Sequence, residues 1–108
     1  MEFPQVAVGG GYQGFLLIEN PNSASVQIGV SFRNPFGQSL VLQINGTTAN
    51  SAAFSLPALG AIKLRLEDPG NLIKTGWCQV FASQPVSGVL VYQLVSGGEI
   101  LSEASRTT

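Results

Sequence analysis

A chain of 108 residues with 44% hydrophobic content is long enough to bury one core and make one domain, yet only 10% of its residues carry a charged side chain, against about 25% in an average soluble domain. Five basic residues face six acidic ones for a net charge of −1, so no basic stripe exists to track phosphates and nucleic acid is excluded as a partner. Histidine is absent, which removes Ser-His-Asp and Cys-His nucleophiles and imidazole metal sites together.

The first predicted strand, residues 5–8, leads into Gly9-Gly10-Gly11-Tyr12-Gln13-Gly14. Gly9, Gly11 and Gly14 have the G-x-G-x-x-G spacing of a dinucleotide-binding loop, which works only at the N-terminus of a helix. Phe15-Leu16-Leu17-Ile18-Glu19 runs instead into Asn20-Pro21, and the proline ends any helix before it becomes useful. The glycines are therefore expected to make a sharp link or a crossing between sheets, using φ values barred to other residues.

Further strands are expected at 14–19, 25–33, 40–45, 52–56, 61–67, 77–82, 88–95 and 99–104. Asn20-Pro21-Asn22-Ser23, Asn34-Pro35-Phe36-Gly37, Asn45-Gly46 and Asp68-Pro69-Gly70-Asn71 mark corners between them, because proline fixes φ and Asn or Gly tolerates positive φ. Gly97-Gly98 suits a tight hairpin between the last two strands. Short strands at even spacing, with no stretch of helical period, give the cadence of an all-β sandwich or barrel over residues 1–108.

Parity predicts which faces are covered. Val26, Ile28, Val30 and Phe32 alternate with Ser25, Gln27, Gly29 and Ser31, and Ile62, Leu64 and Leu66 alternate with Lys63, Arg65 and Glu67: one face in, one out. Phe15-Leu16-Leu17-Ile18 and Val89-Leu90-Val91-Tyr92 are apolar on both faces. Their outer faces either are covered, by a loop, a neighbouring domain or another copy, or carry scattered surface apolars.

Few residues offer chemistry. Cys78, the single cysteine, shares a strand face with Val80 and reads as a buried small hydrophobe with no basic neighbour to activate it. Trp77, on the other face with Gln79 and Phe81, is either core or a solvent-facing platform for a sugar ring. Glu99 and Glu103 stand too far apart along the last strand to share a proton. Glu67-Asp68-Pro69-Gly70-Asn71 lacks the alternating ligands of a calcium loop and reads as a turn. Asn45-Gly46-Thr47 is a glycosylation sequon that a type I′ turn explains equally well. No catalytic, cofactor or metal residue is assigned.

No run is long enough to span a bilayer, and Met1-Glu2-Phe3-Pro4 lacks the basic start and apolar core of a signal peptide. Two readings fit, an intracellular protein or a domain of a longer secreted one; the second is favoured because the chain opens directly on a strand, with Met1 and Glu2 as candidates for added residues.

Four segments carry a family resemblance: Phe3-Pro4-Gln5-Val6-Ala7-Val8-Gly9-Gly10-Gly11-Tyr12, Phe15-Leu16-Leu17-Ile18-Glu19-Asn20-Pro21-Asn22, Gly76-Trp77-Cys78-Gln79-Val80 and Pro85-Val86-Ser87-Gly88-Val89. Together they resemble an uncharacterised immunoglobulin-like β-sandwich module repeated in large secreted and surface proteins of environmental bacteria. The resemblance implies an all-β, two-sheet antiparallel sandwich, immunoglobulin-like, of about seven to nine strands, and a non-catalytic extracellular module that spaces, displays or adheres, with neighbouring modules or other copies as partners and no cofactor. Tyr12, Phe36 and Tyr92 are the residues expected at such a contact. Two alternatives are kept. One is a carbohydrate-binding module, with Trp77 and either Tyr12 or Tyr92 forming an aromatic strip for a polysaccharide. The other is a self-assembling subunit joined through its apolar strand faces.

Overall fold

A computed structural model of the chain describes residues 2–96 and 99–107, with the side chains of Pro4, Gln5 and residues 92–107 outside the description. Among the described residues there are ten strands and no helix: β1 (Glu2–Val8), β2 (Tyr12–Glu19), β3 (Val26–Arg33), β4 (Leu42–Ile44), β5 (Thr47–Ala49), β6 (Ser51–Leu56), β7 (Ala61–Glu67), β8 (Lys74–Ala82), β9 (Ser87–Ser96) and β10 (Glu99–Thr107). They form two antiparallel sheets, one ordered β1-β8-β3-β6 and the other β10-β9-β2-β7-β4-β5. The expected two-layer sandwich is therefore present, with one strand more than the nine expected segments. The addition is β5, a three-residue strand too short to show a period in the sequence. Gly97 and Gly98, expected to turn the last hairpin, lie outside the described residues, although β9 and β10 pair as a hairpin requires.

Connectivity follows one rule. β1 pairs with β8, β2 with β7, β3 with β6 and β4 with β5. The first eight strands are thus one long antiparallel ribbon, doubled back at the β4–β5 turn. Wrapping that ribbon into two layers adds the β3–β8 and β4–β7 pairings. The two layers are those of an antiparallel sandwich, and within them this strand order is that of a jelly roll. β9 then pairs along β2, with β10 outside it, so the β2 edge is not left open to another chain.

Alternation fixes the layers. In β3, Val26, Ile28, Val30 and Phe32 are buried while Gln27 and Arg33 are exposed. Phe3 and Phe32 both register with Cys78 from either side, and all three sit in the core facing Leu16, Ile18, Leu64, Leu66 and Leu90 of the other sheet. Each such aliphatic or aromatic side chain contributes about 1.5–3 kcal/mol by leaving water.

Three corners use one device. The side-chain oxygens of Asn20, Asn34 and Asp68 each accept the backbone N–H two residues on, across an intervening proline, at 2.9, 2.9 and 3.0 Å. Proline sets φ and the side chain closes the turn. Asn45-Gly46 forms the expected two-residue turn between β4 and β5, with φ of 50° and 83°.

The β1–β2, β3–β4 and β7–β8 connections gather at one end of the sandwich. Gly10 N–H donates to the Gly70 carbonyl at 3.1 Å, and Lys74 Nζ to the Val41 carbonyl at 3.3 Å. The β2–β3, β6–β7 and β8–β9 connections meet at the other end, where Leu59 N–H donates to the Asn22 carbonyl and Asn22 Nδ2 to the Pro85 carbonyl.

Candidate functional site

The glycine cluster is a turn. Gly9 and Tyr12 exchange backbone hydrogen bonds at 2.9 and 3.1 Å, while Gly10 and Gly11 between them hold φ of 59° and 94°. It carries the chain from one sheet to the other, as expected. A strand follows it, so there is no helix N-terminus to hold a pyrophosphate. A β-carbon on Gly9 would strike the Leu72 carbonyl oxygen, and one on Gly10 would press on Ile73. The cluster's second duty is thus to let the β7–β8 loop pack against it.

Cys78 is fully buried, and burial pushes its thiol up to about 12. Folding holds the thiol protonated. Its contribution to stability is therefore complete below the ordinary value of 9.0 and is lost as pH rises from there towards 12, at roughly 1.4 kcal/mol per pH unit. Native protein is expected to resist iodoacetamide, and Cys78→Ala is expected to lack this alkaline slope in urea titrations. Rapid labelling of the native thiol would contradict the burial.

The Glu67–Asn71 turn is held by protein groups. Lys74 Nζ lies 3.0 Å from Asp68 Oδ1, and its hydrogen bond, with that of the Gly70 N–H, keeps the Asp68 carboxyl below the usual carboxylate range despite partial burial. Glu67 turns away to Arg65 at 3.3 Å. The side chains of Glu99 and Glu103 lie outside the described residues.

The expected contact residues divide between the two sheets. Trp77 is half-buried on the outer face of the four-stranded sheet, directly opposite Arg33. Tyr12 opens β2 in the six-stranded sheet, and the backbone of Tyr92 pairs with Gly14 in that same sheet; the Tyr92 side chain lies outside the description. The expected strip of Trp77 with Tyr12 or Tyr92 is therefore not assembled, because these strands belong to different layers. On Trp77's own face the second aromatic is Phe81, which is 59% exposed.

Phe36 stands where a contact residue was expected: on the β3–β4 connection, 88% exposed. It is not alone at that end. Leu72 is 81% exposed on the β7–β8 connection, with exposed Ile73 next to it, and exposed Val41 follows on the β3–β4 connection. Four of the seven exposed large apolar side chains among the described residues thus belong to two connections at one end. Sequence reasoning passed over Leu72, Ile73 and Val41. A signal was available, since Leu72-Ile73 sits between a proline turn and the next strand without alternating with polar residues.

The segments apolar on both faces, in β2 and β9, turn out to be neighbours. Phe15 opposes Val91 and Leu17 opposes Val89. Their outward side chains shield one another, and Lys63 Nζ stands 4.2 Å from the Phe15 ring centroid. Leu17 remains 36% exposed, the least of the exposed large apolars. Mutual packing within the sheet thus accounts for much of what looked like a need for an external cover.

In comparisons with protein-family models, curated proteins and solved structures, nothing matches this chain.

Proposed function

We propose that the chain is a non-catalytic structural or adhesive module of a larger secreted or surface protein of bacteria, and that it meets its partner end-on. The observation that carries this reading is the pair of connections bearing Phe36, Val41, Leu72 and Ile73 at one end. Apolar side chains this exposed gain by leaving water, about 25 cal/mol for each Å² covered. The low charge of the chain fits a contact made by apolar burial and neutral hydrogen bonds, with little repulsion between copies. A buried thiol and the absence of histidine support a role without chemistry.

The partner is a neighbouring module or another copy of the chain. Concentrated protein is therefore expected to self-associate weakly in sedimentation velocity. The double variant Phe36→Asp/Leu72→Asp is expected to remain monomeric with unchanged thermal stability, since neither side chain is part of the core. Association that persists in the double variant would contradict the loop-end reading.

A further inference from the structure

The outer face of the four-stranded sheet has a layout that the fold does not require. On it, β6, β3 and β8 lie side by side, and opposed residues form rows across the strands. Ala53, Gly29 and Phe81 make one row, and Ser51, Ser31 and Gln79 make the next. On the other side of the apolar row, Gln27 Nε2 donates to Ser55 Oγ at 3.2 Å, and Gln27 N–H donates to Ser83 Oγ at 3.0 Å. An apolar row thus lies between two rows of amides and hydroxyls.

Gly29 needs a reason, because glycine weakens the interior of a strand. A positive φ is not the reason, since Gly29 is not among the glycines that have one. A bulge is not, since the register runs unbroken through Gly29 to both neighbouring strands. Close approach of another part of the chain is not, since a β-carbon there would find nothing within 4 Å. That empty space also shows that the opposed Phe81 ring does not fold over the glycine, the usual aromatic cover for a bare position in a sheet. Gly76, on the inner face of β8, is the contrast: a β-carbon there would strike the Arg33 carbonyl oxygen. What remains for Gly29 is approach by a molecule from outside the chain.

We infer that the trough over Gly29 binds a neutral polysaccharide, with one sugar ring seated over the glycine against Phe81. A pyranose has an apolar C–H face suited to an exposed aromatic ring, and hydroxyls around its rim that need amide and hydroxyl partners. Gln79 and Ser31 meet that rim on one side and Gln27 on the other. Trp77, four residues before Phe81 on the same face of β8 and so about 14 Å away along the strand, offers a second ring to a longer chain. The charges described on this face, Glu2 opposite Gln79 and Arg33 opposite Trp77, stand at its margins. Nothing in the trough holds an anion. A peptide adding as a strand is excluded there, because β3 already pairs on both sides.

This inference does not depend on the loop-end contact. Affinity electrophoresis in gels containing hydroxyethylcellulose, xylan, laminarin or dextran, with polygalacturonate as the anionic comparison, tests it. Wild-type protein is expected to be retarded by a neutral polysaccharide. Gly29→Leu puts an apolar side chain into the trough from a β-carbon that meets nothing within 4 Å, and Phe81→Ser removes the stacking face. Each is expected to weaken retardation about tenfold, with circular dichroism melting showing both variants folded. Phe36→Asp/Leu72→Asp is expected to bind as wild type does. Absence of retardation by all four neutral polysaccharides, retardation by polygalacturonate alone, or undiminished binding by folded Gly29→Leu would overturn the inference.

Discussion

Asn20→Ala is expected to lower the unfolding free energy by about 3 kcal/mol, measured by urea titration. Asn20 is 1% exposed and is the one fully buried polar side chain among the described residues. Its Nδ2 donates to the carbonyls of Ala24 at 2.9 Å, Leu56 at 3.3 Å and Pro57 at 2.9 Å. Its Oδ1 accepts from the Asn22 backbone and side chain at 2.9 and 2.8 Å. One amide thus ties the β2–β3 corner to the end of β6, and truncation leaves several buried groups without partners. Asn20→Asp is the sharper variant. It puts a carboxylate against three carbonyl oxygens, which favours its protonated form, so this variant is expected to lose stability as pH rises from about 4. A cost below about 1 kcal/mol for Asn20→Ala would mean that water replaces the amide without loss.

The largest expected effect of a core substitution is at Phe32. Phe32→Ala is expected to cost about 3–5 kcal/mol, a large fraction of the 5–15 kcal/mol typical of a whole domain. Phe32 is 1% exposed and registers with Cys78, which also registers with Phe3 on its other side. Phe3, Cys78 and Phe32 form one row of the buried inner face of the four-stranded sheet, and a hole opened there has the strands β1, β8 and β3 as walls. Hydrogen-bonded strands cannot close in as loops could, so the cavity term is expected to be near its full value. Melting of Phe32→Ala within a few degrees of wild type would show that the core repacks.

Much of the fold could be read from local signals. The alternation of Val26–Gln27–Ile28–Gly29–Val30 carries its own burial pattern, and the Asn-Pro and Asp-Pro corners carry their own turn chemistry. The strand order could not be read this way. Pairing β1 with β8 joins residues about seventy positions apart, and no local period records which distant strand lies alongside. That is why the aromatic strip was expected in the wrong place: Trp77, Tyr12 and Tyr92 are all aromatics in or beside strands, but only pairing decides that Trp77 shares a face with Phe81. The apolar outer faces of β2 and β9 left cover and scattered exposure both open for the same reason. Their adjacency lets each shield the other. Phe36 was legible because an aromatic in a proline turn has no strand parity to bury it. Gly29 read as a polar-face position of an alternating strand, and only the open space above it gives it meaning.

The end-on contact is tested most directly by amide hydrogen exchange on dilute and on concentrated protein. Added protection at high concentration is expected in the connections at residues 34–41 and 68–73, with the strands unchanged. Added protection confined to the outer-face segments of β2 and β9, around Leu17 and Val89, would place the contact on the six-stranded sheet and contradict the account.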